Sequence, residues 1–235
     1  MTATTISIVL GALIFLVAGI SFLINILVLI IIWKGGFLKN VQSNIFIFIF
    51  ATLAGNALQM AIAVFYLGPS AIAQDFLFPG EHGGTGLAII SYLSVGQYYQ
   101  EMFLQAIIAI DRLITIVFFK HTQIFTRKVV IRLAIGVYLG GFLLAVFVMF
   151  VIPCCQTYIY YKTYSFAYFG TLGFNYVDKY VDLPVNITSS LIAILVVDIK
   201  EWIVSKNRNF FAHGIDFLPS KWEAVLEVDG EYAPE

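Results

Sequence analysis

ISIVLGALIFLVAGISFLINILVLIIIW, residues 6–33, runs for 28 residues without a charged side chain. A helix needs about 20 apolar residues to cross the hydrocarbon core of a bilayer, so this stretch alone predicts a spanning helix. Four further segments resemble it. Residues 41–67 are uncharged and are followed by Gly68-Pro69. Residues 86–119 carry Glu101, Asp111 and Arg112. Residues 129–152 have Arg132 near their start and Pro153 just beyond their end. Residues 183–204 are the weakest of the five, because their charge-free run stops at Asp198. The runs are long and show no period-2 alternation, which predicts helices rather than a barrel. The expected fold is an all-α transmembrane bundle of five helices over residues 1–204, followed by a polar, poorly ordered cytoplasmic tail, residues 205–235.

Composition agrees. Hydrophobic residues make up 60% of the chain and charged residues 11%, against about 45–50% and about 25% in soluble domains. The first five residues, MTATT, lack the basic start of a cleaved signal peptide, so the first segment is expected to stay in the membrane. Orientation follows from Lys and Arg. Lys34, Lys39, Arg112, Lys120, Arg127, Lys128, Arg132, Lys200, Lys206, Arg208 and Lys221 fall on one side of the predicted topology; only Lys162 and Lys179 fall on the other. The basic side is expected to be cytoplasmic, which puts the N-terminus outside and the C-terminus inside, in a multi-pass protein of the plasma membrane.

Polar groups inside the spans are costly and need a partner or a role. Asp111-Arg112 lies near the cytoplasmic end of the third segment. The two can pair, and a switchable pair could release the guanidinium to a cytoplasmic partner. Alternatively, Arg112 is an anchor that snorkels to the lipid headgroups. Glu101 lies three helical turns earlier, about 16 Å along the axis. It is expected near mid-bilayer, facing the bundle, with Asn56 as partner. It is read as a neutral packing group, with a polar switch or cation site as the alternative. Asn25 is expected to act as interhelical glue, and Asp198 is the last intramembrane charge. Cys154 and Cys155 are expected at the outer face as free thiols or thiols awaiting another partner, since adjacent cysteines rarely pair. Asn186-Ile187-Thr188 fits the glycosylation sequon, but it abuts the fifth segment and is expected to stay unmodified. The aromatic residues between Tyr158 and Phe169 suit an outer interface belt or a ligand entrance.

The sequence shows no metal-ligand cluster, phosphate loop, nucleophile triad or nucleic-acid surface. No enzyme, cofactor or metal is expected.

A long third helix ending in Asp111-Arg112-Leu113, then an apolar run and a basic loop, resembles the rhodopsin-like G-protein-coupled receptors, whose motif is Asp-Arg-Tyr. The closer likeness is to the nematode serpentine chemoreceptors of class X, Srx. It rests on KHTQIFTRK (120–128), IPCCQTYIYY (152–161) and YVDLPVNITSSLIAILVVDIK (180–200), and it covers residues 6–204. The resemblance implies a chemosensory receptor that carries binding of a small outside ligand to a heterotrimeric G protein, with Asp111 and Arg112 facing that protein. The five segments would be the first five of seven, so the chain is expected to be an incomplete form. The outer part of the third segment has no Cys, and the fourth has no Trp. Two rival readings stand beside it. One is a small carrier or channel with Glu101 on its ion path. The other is a non-signalling fragment that associates with another membrane chain.

Overall fold

A computed structural model describes residues 5–39, 45–80, 84–117, 126–152, 154–170 and 173–205. Residues 120–125 of the basic loop and all of the expected tail beyond residue 205 lie outside the described residues. The chain divides into two units, Met1–Ala193 and Ile194–Glu235. The described part of the second is the continuation of the last helix, which carries Asp198.

Helix α1 spans Thr5–Lys34, α2 Ile45–Ala73, α3 Thr85–Val117, α4 Arg127–Val151 and α5 Leu183–Ser205. Within a bilayer each backbone N–H and C=O must find its partner in its own segment, which a helix provides. Helix α1 shows the consequence. Leu13, Leu16, Ile20, Leu23 and Leu27 are all exposed, a surface suited to lipid and not to water. Lys34 in its last turn complements the dipole, and Gly36 at φ +70 takes the left-handed position beyond it.

Among the described residues four helices are long and apolar enough to cross a membrane: Thr5–Lys34, Ile45–Ala73, Arg127–Val151 and Asp178–Asp198. Helix α3 is the exception in composition, not in length. Its 33 residues reach roughly 50 Å at 1.5 Å per residue. It is more polar because it is central. It packs against α2, α4 and the first strand, and Ser91, Ser94, Gln97 and Gln100 are all buried on it. The chain is therefore a multi-pass helical membrane protein.

Prolines shape the ends of these helices. The second segment was expected to stop at Leu67, before Gly68-Pro69. Instead, α2 continues to Ala73. The ladder widens over Ala63–Leu67, where the Gly68 N–H reaches Ala63 O five residues back. A proline has no N–H and its ring crowds the carbonyl four residues earlier; one wide turn absorbs both problems. The same device occurs over Phe147–Val151, where the Ile152 N–H bonds to Phe147 O at 3.1 Å. It occurs again over Asp178–Asp182, where the Leu183 N–H bonds to Asp178 O. Each wide turn ends two residues before a proline in the sequence: Pro69, Pro153 and Pro184.

The all-α expectation needs one correction. The aromatic stretch is not a belt of separate side chains but a β-hairpin. Strand β1 (Gln156–Tyr160) pairs antiparallel with β2 (Ser165–Phe169), in a register that sets Tyr158 opposite Ala167. Thr163 closes the turn, its Oγ1 donating to Tyr160 O at 3.1 Å, and Tyr164 takes the left-handed conformation at φ +54. The Ile159 N–H donates to Ser91 Oγ at 3.1 Å, tying the hairpin to α3. The main core, which includes Ile62, Leu87, Val95, Tyr99, Val148 and Ile159, sits at the hairpin end of the first unit.

The helices approach closely at glycines. A Cβ on Gly141 would lie 2.8 Å from Gln100 N and 2.9 Å from Gly96 O, so α3 and α4 touch backbone to backbone. Small residues serve this purpose in membrane bundles.

Candidate functional site

Asp182 closes the wide turn ahead of α5 and is buried. Its Oδ1 accepts the Tyr99 hydroxyl of α3 at 2.5 Å. Its Oδ2 accepts the Tyr168 hydroxyl of β2. One turn on, the Asn186 amide donates to the Tyr98 hydroxyl and, at 2.8 Å, to Asp182 O. A further turn down, Ser189 Oγ donates to Met102 O at 3.0 Å. The carboxylate thus joins α3, the hairpin and the head of α5. Burial, followed by the hydrogen bond to Asp182 and its charge, pushes the Tyr168 phenol above its ordinary value. Tyr168 therefore stays protonated and remains a donor.

A cavity of about 170 Å³ opens beside this cluster. Val95, Tyr98, Tyr99, Phe166, Tyr168 and Asp182 line it. A second cavity of about 180 Å³ lies toward α2, where Gln59 Oε1 accepts Ser94 Oγ–H at 2.8 Å. Phe166 of the hairpin lines both. The walls are aromatic, with a few polar groups placed among them, the usual make-up of a small-molecule site.

The sequence-predicted residues are distributed differently. Asp111 is half-buried and Arg112 exposed, both near the far end of α3. Glu101 is half-buried and accepts from Gln105 Nε2 at 3.3 Å, one turn along its own helix. Gln105 takes the role expected of Asn56, and Gln97 and Gln100 take the buried place expected of Glu101. Asn25 is not interhelical glue. Its Nδ2 donates to Ser21 O at 2.9 Å, one turn back. A helix facing lipid offers few outside partners, so a short amide side chain turns to its own ladder. Asn186 has its amide engaged within the cluster rather than presented at a surface. Cys154 and Cys155 are joined to each other by a disulfide instead of standing as thiols; Cys155 adopts φ +64 at the entry to β1. Among the described residues no group of three His, Cys, Asp or Glu could hold a metal ion.

Asp182 and the Tyr98-Tyr99 pair were missed from sequence. Asp182 lies just outside the fifth apolar run, where a charge needs no explanation. Only the pairing of α3 with α5 gives it one.

The model of one family, described as serpentine type 7TM GPCR chemoreceptor Srx, matches residues 15–210. The chain belongs to this family. No curated protein matches it. The Srx family is one of membrane chemoreceptors and not of enzymes, and the apolar helices of this member fit that setting.

Proposed function

We propose that the chain is a chemosensory G-protein-coupled receptor of the plasma membrane that takes a small extracellular ligand into the cavity under the hairpin. The observation that carries this reading is the meeting of Tyr99, Tyr168 and Asp182 at that cavity. A ligand there touches α3, the hairpin and the head of α5 together. Helix α3 then runs unbroken from Tyr99 to Asp111 and Arg112, roughly 20 Å along its axis. A packed helix moves as a unit, so a shift of α3 at the cavity reaches its far end. In this reading Asp111 and Arg112 face the heterotrimeric G protein on the cytoplasmic side, in a chain of five spans with its N-terminus outside.

In cells where a ligand response can be measured, Arg112→Ala should abolish the response while surface expression persists. An unchanged response would return Arg112 to the role of a headgroup anchor. Orientation has its own test. With Cys154 and Cys155 replaced by serine, a cysteine introduced for Asp75 should react with an impermeant maleimide on intact cells, and one introduced for Ile215 should not. The opposite pattern would invert the topology.

A further inference from the structure

We propose that the cavity between α3, the hairpin and α5 binds a small organic cation, a protonated amine of one charge, with Asp182 as its counter-ion. The inference rests on that cavity being the ligand site and adds the chemical class. Both Asp182 oxygens act as acceptors, one toward Tyr99 and one toward Tyr168. An ionised carboxylate accepts at both oxygens in this way and keeps further lone pairs for another donor. The residues lining the cavity include no Lys, Arg or His. Lys179, close by in sequence, sets its Nζ 4.9 Å from the Phe174 ring centre. Among the described residues no cation neutralises Asp182, and a buried anion without one is costly. Its two phenolic partners spread the charge but do not cancel it.

The walls point the same way. Tyr98, Tyr99, Phe166 and Tyr168 surround the space, and the electron-rich faces of such rings attract cations. A neutral apolar guest would use the rings but leave the carboxylate uncompensated. An anionic guest would face it directly. The size sets a limit as well. About 170 Å³ is below the roughly 300–1,000 Å³ of drug-sized pockets, so the guest is a compact monoamine.

The test uses the purified full chain in lipid nanodiscs at pH 7, with 2-phenylethylamine and its neutral isostere 2-phenylethanol as probes. The readout is the shift in unfolding midpoint with probe concentration. The amine should act at a concentration about tenfold lower than the alcohol, or lower still, as expected for a hydrogen bond between charged groups. Asp182→Asn should remove that preference, and Val95→Phe, which fills this cavity and not its neighbour, should remove both responses. Equal action of the two probes on the wild type overturns the cationic ligand. So does an amine preference that survives Asp182→Asn. If Val95→Phe still blocks the probes in those cases, the cavity stands as a ligand site of another class. A response that Val95→Phe leaves untouched overturns the cavity itself. If neither probe acts on the wild type, the compact-amine class is wrong. Should Asp182→Asn not fold, the comparison of the two probes on the wild type still decides the inference.

Discussion

Gly141→Ala is expected to destabilise the bundle by about 1–3 kcal/mol, the usual cost of overpacking, whereas Gly140→Ala next to it should be neutral or slightly stabilising. The Cβ added at Gly141 meets Gln100 N at 2.8 Å and Gly96 O at 2.9 Å, whereas one added at Gly140 finds nothing within 4 Å. Both obstructing atoms at Gly141 are backbone, so no side chain can rotate away; the two helices must separate. At Gly140 only the helix preference for alanine over glycine remains. Thermal inactivation of the detergent-solubilised protein checks the pair. If both variants lose stability equally, the seam between α3 and α4 is not where the structure puts it.

Asp182→Ala should cost still more, about 2–5 kcal/mol, because it leaves the buried Tyr99 hydroxyl and the half-buried Tyr168 hydroxyl without an acceptor, at roughly 1–3 kcal/mol for the first and about 1–2 for the second. Tyr99 is almost wholly buried. The effects should not add. Tyr99→Phe alone should cost about 1–3 kcal/mol, yet almost nothing when Asp182 is already alanine, since the bond it removes is gone. The same thermal measurement on the two single variants and the double variant gives the coupling. Equal cost of Tyr99→Phe in both backgrounds would show that the hydroxyl and the carboxylate do not meet.

Apart from the far end of α2, the helices were legible in the sequence to within a few residues, because the cost of charge in lipid leaves visible charge-free runs. Ile6–Trp33 reads as α1 almost to its ends. Asp111 and Arg112 drew notice for a similar reason: two charges beside an apolar run are conspicuous. The hairpin was not legible. Its residues, QTYIY and SFAYF, are as aromatic as an interface belt, and what makes them strands is the partner across the turn. Nor was the site. Tyr99 and Asp182 are separated by 83 positions, and neither is unusual alone. Pro69 misled for a definite reason: it was read as a stop, and the cost of a wide turn was left out of the comparison.

Those wide turns bear on how such chains can change over time. Each holds one residue more than a regular turn would. Deleting a single residue from Ala63–Leu67 would restore the ordinary ladder and rotate everything beyond it by about 100°. The part of α2 before that turn would keep its phase. The turn over Phe147–Val151 stands in the same relation to α4, and the one over Asp178–Asp182, which comes at the start, leaves α5 from Leu183 onward undisturbed. All three border the hairpin end. Single-residue insertions and deletions there can re-aim the side chains around the cavities while the seams farther along the helices stay in register. Chains of this kind can therefore acquire new ligands through changes in length as well as through substitution, and an alignment without gaps at these three places would pair residues that face in different directions.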